Sequence, residues 1–147
     1  MSSVNGFDET HHLPRLMGAF FEQVRVAFAA EDWGGLRQSH FRLIESIPTG
    51  GATITELAAT LRMTKQGCGQ FVAQLTESGH LRVDSDPADG RSRIVRRTAK
   101  GTRLMHRVER RIALLEQEWA QQVGERRYAA FRATLVELAM PSAGSTA

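Results

Sequence analysis

A single cysteine, Cys68, is all the thiol this chain has, so no disulfide can form within it. Long apolar runs are missing too: no stretch approaches the roughly 18 residues needed to span a bilayer, and no membrane partner is expected. The first residues, MSSVNGFDETHH, lack the basic-then-apolar order of a secretory signal, which makes a cytoplasmic protein the expectation. No glycine-rich phosphate loop and no nucleophile elbow occur, and lone Ser and His residues do not make a triad. We therefore assign no catalytic residue and no cofactor. The five histidines do not change this. His11 and His12 fall near the N-terminal end, whereas His40, His80 and His106 belong to separate elements without the ligand spacing of a zinc site, so no metal is assigned.

What is present is enough for one core: 147 residues, 41% of them hydrophobic. The net charge is only +3, but it is unevenly spread. From Arg62 to Arg111 twelve basic residues stand against five acidic ones, a balance of +7 that leaves −4 for the rest of a +3 chain. A basic segment in an otherwise acidic body suits a polyanion, because phosphate neutralisation supplies most non-specific affinity for DNA. A solvated basic helix face is the plainer reading for the residues after Lys100.

Apolar residues recur at three- and four-residue spacings from Leu13 to Ala30 (Leu13, Leu16, Met17, Phe20, Phe21, Val24, Ala27), the mark of an amphipathic helix. EDWGG breaks it at Glu31–Gly35. A second helical pattern runs from Leu36 to Ile47 and stops at Pro48 and Gly50-Gly51. Thr53-Ile54-Thr55-Glu56 has the form of a capping box and opens a short helix to Leu61. Arg62-Met63-Thr64 is long enough only for a turn. Thr64 caps a helix from Lys65 to Ser78 with an inward stripe of Cys68, Phe71, Val72 and Leu75, and Gly79 ends it.

Two helices joined by so short a turn make a helix-turn-helix, whose second helix presents its N-terminal residues to base edges. Thr64, Lys65, Gln66, Gly67 and Gln70 occupy that face. Leu81–Arg97, LRVDSDPADGRSRIVRR, then reads as two short strands around a Pro/Asp/Gly turn with Arg91 at its tip, a wing. Thr98 caps a helix of about 25 residues with Leu104, Val108, Ile112, Leu115, Trp119 and Val123 in register. After Gly124 a last helix carries Tyr128, Phe131, Leu135 and Leu138. Its apolar surface exceeds what a small helix-turn-helix can cover, so a like subunit related by two-fold symmetry is expected.

This order of elements resembles the MarR family of bacterial transcription regulators over Leu13 to Leu138. The resemblance is carried by LRQSHFRLIESI, by MTKQGCGQFVAQLTESGHL, and by DPADGRSRIVRRTAKG. In the last of these, Asp89-Gly90-Arg91 fits the Asp-x-Arg wing signature and Thr98-x-x-Gly101 the strand-to-helix junction. The implied fold is mainly α with a small two-stranded antiparallel β wing: a winged helix-turn-helix with N- and C-terminal dimerisation helices. The organisation follows as a flexible N-terminus (1–12), a dimerisation helix and loop (13–35), the winged helix-turn-helix (36–100), C-terminal dimerisation helices (101–140) and a disordered tail (141–147). The implied function is that of a homodimer bound to double-stranded DNA at a pseudo-palindromic operator, more readily a repressor, released by a small aromatic effector.

Individual roles follow with their alternatives. Lys65 and Arg93 are assigned to phosphate, Thr64, Gln66 and Gln70 to base edges, and Arg91 to a narrow minor groove, with Asp89 holding the Arg91 guanidinium. An ordinary Asp turn beside a solvated Arg is the alternative. Gly67 and Gly69 each cost about 1 kcal/mol of helix propensity relative to alanine. They serve either close approach to sugar-phosphate or close packing against Ala58 or Leu61. Cys68 reads as a small core hydrophobe, with a redox switch as the less favoured alternative. Phe20, Trp33, His40 and Phe41 lie near the expected hinge between dimerisation and DNA-binding parts and are candidate effector contacts, although aromatics at helical spacing are more often core. His40 is expected near Trp33. A rival function is a winged-helix module that binds protein; polar Thr64-Lys65-Gln66 disfavours it.

Overall fold

The structure is a computed structural model, which describes residues 11–140. The first ten and last seven residues, including most of the N-terminal segment and all of the tail expected to be flexible, lie outside that range. Two units make up the chain, Met1–Glu109 and Arg110–Ala147.

In the first unit the threonine caps read at Thr53 and Thr64 form. The helix α1 spans Leu13–Ala29 and has Pro in its first turn, where a missing N–H is harmless. Its apolar stripe is not turned into this unit's core: Phe28 is its one buried residue, while Leu13 and Phe21 are 62% and 59% exposed. Next comes α2, Gln38–Glu45, shorter than the Leu36–Ile47 expected because Arg37 is extended and acts as N-cap. Its N–H donates to His40 Nδ1 at 3.0 Å, a cap supplied by the third helical residue rather than by the first. The capping box of α3, Ile54–Leu61, forms as read: Glu56 N–H donates to Thr53 Oγ1 and Thr53 N–H to Glu56 Oε2, both at 3.1 Å. Arg62 ends α3 in the left-handed conformation, φ 54°, which turns the chain into α4, Lys65–Glu77.

The wing is an antiparallel pair, β1 Leu81–Ser85 and β2 Arg93–Arg97, in register Leu81↔Arg97 through Ser85↔Arg93. A bridge from Ala52 to Val95, invisible in the sequence, adds a further edge to the ladder, and Val95 ends fully buried. Gly51 makes this bridge possible. At φ 81° it tolerates what other residues do not, and a Cβ there would run into the Ile94 side chain and the Val95 carbonyl. Leu43, Ile44, Leu57, Cys68, Leu75, Leu81 and Val95 form the centre of the core. Each large side chain of this set contributes about 1.5–3 kcal/mol by leaving water.

The end of α4, both wing strands and the helix α5, Ala99–Val123, meet at one knot of backbone. Thr98 N–H donates to the His80 carbonyl at 3.1 Å, and the Thr98 hydroxyl donates to the Gly79 carbonyl while accepting from Gly101 N–H. Lys100 Nζ reaches the Ser78 carbonyl at 2.7 Å, a cation on the C-terminus of α4. A Cβ on Gly101 would collide with the His80 carbonyl, so the glycine read as part of a junction motif has a steric cause.

In the second unit, the C-terminal part of α5 turns at Gly124, φ 95°, into α6, Glu125–Ala139. Tyr128 donates to Glu116 Oε1 at 2.6 Å, and Arg132 reaches the same oxygen at 3.3 Å. Burial and this carboxylate push the Tyr128 hydroxyl up to about 12. No α6 residue is buried, and Phe131 and Leu138 are 47% and 70% exposed, in keeping with the apolar excess read for the C-terminal helices.

Two outcomes test this architecture. Gly101→Ala and Gly51→Ala should each destabilise the fold by about 1–3 kcal/mol, as overpacking against unyielding backbone does; a thermal midpoint equal to wild type would contradict the contacts described. The second concerns His80, which burial, with the Lys100 charge as the lesser cause, holds below its ordinary 6.5. The unfolded chain then takes up that proton at a higher pH than the folded one. Stability from the neutral ring is complete above 6.5 and is lost as pH falls from there through the lower folded value. His80→Asn should flatten the fall in thermal midpoint over that window, and an unchanged fall would assign it to other groups.

Candidate nucleic-acid interface

The outward face of α4 is built by helical spacing from a helix anchored on its other side. Cys68, Val72 and Leu75 are buried, which turns Lys65, Gln66, Gln70, Ala73, Gln74 and Glu77 to solvent. The structure brings the sequence-assigned Lys65, Gln66 and Gln70 onto this face. Thr64 stands at its head, but its hydroxyl oxygen accepts Gly67 N–H at 3.0 Å as the helix cap. The hydroxyl proton and a second lone pair remain for an outside group.

Neither glycine of this helix packs against α3. A Cβ at Gly69 would meet nothing within 4 Å, and one at Gly67 would press on the capping Thr64 Oγ1 at 3.0 Å. The packing reading against Ala58 or Leu61 is thus overturned by open space. Cys68 between them has no exposure, and burial pushes its thiol above the ordinary 9.0. A thiol so placed is neither accessible nor ionised, which argues for the core hydrophobe.

Gln74 was missed by the sequence reading, although it lies one helical turn beyond Gln70. Its side-chain carbonyl is 3.2 Å from His40 Nε2, and because His40 Nδ1 accepts from Arg37 N–H, Nε2 is the nitrogen that donates. His40 packs edge-on against Phe71 at 5.0 Å, not beside Trp33 as expected. It joins the start of α2 to the outer face of α4.

At the wing tip two aspartates shape the loop. Ala88 N–H donates to Asp86 Oδ1 at 2.9 Å, Arg91 N–H to Asp89 Oδ1 at 3.0 Å, and the Ser92 hydroxyl to Asp89 Oδ2 at 3.1 Å. Asp89 therefore fixes the backbone of Arg91, and does not hold its guanidinium as expected. Both Asp89 oxygens are engaged within the turn, and the exposed Arg91 side chain points away from any ion pair among the described residues. Arg93 is likewise exposed.

The other group of candidate residues divides. A cavity of about 630 Å³ is lined by Trp33 and Phe41 together with Arg25, Phe28, Arg37 and Gln38, among others, while Phe20 and His40 are not part of its wall. Trp33 is core first: it stacks on Phe28 at 5.1 Å, donates Nε1–H to the Phe28 carbonyl and carries the Arg107 guanidinium 4.0 Å above its ring. Arg25, Phe28 and Arg37 were not singled out from the sequence. Phe28 could have been, since it continues by one residue a stripe read only as far as Ala27.

Among the described residues no helix is long and apolar enough to cross a membrane. No group of three or more His, Cys, Asp or Glu side chains is placed to hold a metal ion among them.

Residues 35–92 match the model of the MarR family. No curated protein sequence matches the chain. Solved structures do. The crystal structure of MarR superposes with a TM-score of 0.77 at 22% identity, covering 92% of this chain and 93% of that one. The PcaV transcriptional regulator from Streptomyces coelicolor, in complex with its natural ligand, gives 0.68 at 18%, over 93% and 98%. CouR from Rhodococcus jostii RHA1, bound to p-coumaroyl-CoA, gives 0.63 at 23%, over 88% and 90%. At these identities the likeness establishes a common fold.

The open space at Gly69 has a measurable consequence. Gly69→Ala should stabilise the protein by up to about 1 kcal/mol, the helix-propensity difference with no steric penalty against it. A lowered thermal midpoint would mean that the glycine serves a contact inside the fold after all.

Proposed function

We propose, from the match of residues 35–92 to the MarR family model and the wing that β2 completes at Arg93–Arg97, that this chain is a sequence-specific DNA-binding regulator of transcription. The observation that carries the reading is the pairing of an exposed polar row on α4 (Lys65, Gln66, Gln70, Gln74) with a wing that holds the Arg91 backbone and frees its guanidinium. Gln66 and Gln70 have the donor and acceptor geometry to pair with adenine in the major groove, and Lys65 and Arg93 the charge for phosphate. Arg91 is permanently cationic and suited to the negative potential of a narrow minor groove. A cytoplasmic site of action follows from a DNA partner.

The active form in this reading is a homodimer. Leu13, Leu16, Met17 and Phe21 on α1, and Phe131, Val136 and Leu138 on α6, are exposed apolar side chains in excess of what a monomer keeps in water. A second copy covers them by two-fold symmetry, which sets two recognition helices about 34 Å apart and makes the operator pseudo-palindromic. Occupancy of such a site blocks polymerase, hence repression. The cavity beside Phe28, Trp33 and Phe41, whose wall carries Arg25 and Arg37 as well as Glu31 and Asp32, suits a small aromatic effector that releases the operator. That two of the structural neighbours carry bound ligands supports an effector here. A protein-docking role is disfavoured by the polarity of the α4 face, since a docking helix presents apolar anchors.

The test is binding to genomic fragments across a salt series, with retained fragments sequenced. Enrichment of a two-fold-symmetric site is expected, and Arg91→Ala should weaken its binding by about 1–3 kcal/mol, whereas Lys65→Ala should lower the salt slope by about one unit. No enrichment at any salt concentration would sink the DNA reading, and undiminished affinity of the Arg91 variant would sink the wing assignment.

A further inference from the structure

A second cavity, of about 460 Å³, opens at the root of the wing and is lined by Ile47, Pro48, Thr49, Arg82, Arg96, Arg97 and Thr102. Its polar wall is three guanidinium groups and two hydroxyls. The strand register makes the charge density unavoidable: Arg82 and Arg96 are direct cross-strand partners on one face, an arrangement of like charges that destabilises a ladder unless an anion lies between them. One does so only in part. A single oxygen, Asp84 Oδ2, serves both, at 3.0 Å from Arg82 Nε and 3.3 Å from Arg96 Nε.

Arg97 adds a third positive charge that no carboxylate answers. Its Nε and Nη2 donate to the Ile44 and Glu45 carbonyls at 2.8 and 2.9 Å, so it is positioned by the C-terminus of α2 but not neutralised. Neither Thr49 nor Thr102 has its hydroxyl in a hydrogen bond with another described residue. Three cations, one anion and two free hydroxyls around one concavity leave a balance near +2.

The geometry points to a binding site for a phosphoryl-type oxyanion in this cavity. A tetrahedral dianion has the charge to match the surplus, and oxygens enough to take guanidinium donors and hydroxyls together. The cavity lies apart from the aromatic one and from the wing tip: the Arg82–Arg96 pair is three rungs below Ser85–Arg93, about 10 Å along the strands. A bound anion would join the segment that follows α2, the wing root and the first turn of α5. The group could be carried by a free phosphorylated small molecule or by the DNA backbone; the chemistry is shared, and the experiment separates the two.

Inorganic phosphate is titrated into the DNA-free full chain by calorimetry at constant ionic strength, and the salt slope of binding to a mixed-sequence duplex is measured in parallel. Arg82→Gln/Arg96→Gln is the disabling variant, its fold checked by thermal melting; Arg97 is left in place because it holds α2. Asp84→Asn, which removes the competing carboxylate, is the enabling one, and Arg91→Ala the control. If the source is a free anion, the wild-type chain binds phosphate, the double variant binds it about tenfold more weakly or worse, Asp84→Asn binds it more tightly, and Arg91→Ala does not change it. If the source is DNA, phosphate alone is not retained but the double variant lowers the salt slope by about one unit per lost phosphate contact. Phosphate binding without any DNA binding would overturn the proposed function and leave this site standing. No phosphate binding together with an unchanged salt slope would overturn the site.

Discussion

The arrangement of the wing against the outward face of α4 depends on how closely α5 can approach the end of α4. The His80 carbonyl is the point of contact. It receives Thr98 N–H, and Gly101 passes over it with no room for a Cβ. Because His80 lies between α4 and β1, and Thr98 between β2 and α5, one acceptor ties the root of the wing to the helix beside it. Ser78, Gly79, Thr98 and Lys100 close the knot by satisfying carbonyls that the end of a helix leaves open.

A rigid root permits economy at the surface. Two glycines lower the intrinsic stability of α4 by about 2 kcal/mol, and a threonine cap returns about 1. Burial of Cys68, Val72 and Leu75 outweighs the remainder, at about 1.5–3 kcal/mol for each aliphatic chain. The helix is therefore held from its inner side and needs little from its outer one, which is why Gly69 can face open space. The wing tip follows the same division. Asp86 and Asp89 spend their oxygens on backbone N–H groups and a serine, so the loop is shaped without neutralising the arginine it carries.

The sequence made legible whatever has a local cause. Capping at Thr53, Thr64 and Thr98, the α3–α4 turn, the two strands and the glycine stops follow from residues within four positions of one another, and each appears within a residue or two of its expected place. What was not legible joins distant segments. Ala52 pairs with Val95, Gly51 makes room for it, His40 bonds Gln74, and Arg97 caps α2 from 52 or 53 residues away. The error at α2 had a subtler origin: apolar Leu36 and Ile47 are periodic with the helix, but the cap chemistry of Arg37 and His40 decides where it begins. Periodicity likewise announced apolar faces on α1 and α6 correctly and said nothing of whether this chain or another covers them.

Charge is where composition misleads most. The surplus of +7 between Arg62 and Arg111 suggests one broad phosphate-binding surface, yet much of it is engaged inside the fold. Arg107 lies on Trp33 and Glu31, Lys100 on the Ser78 carbonyl, Arg97 on two carbonyls of α2, and Arg82 and Arg96 on Asp84. Lys65, Arg91 and Arg93 make no ion pair among the described residues, and they stand on the two elements that the fold projects outward. Coulombic attraction summed over the segment would be diffuse and quickly screened by salt. Cations carried on α4 and at the tip of a wing that is tied to α5 at its root give that attraction a direction. In the proposed DNA-binding role, orientation of a duplex rests on the packing beneath these residues as much as on their charge.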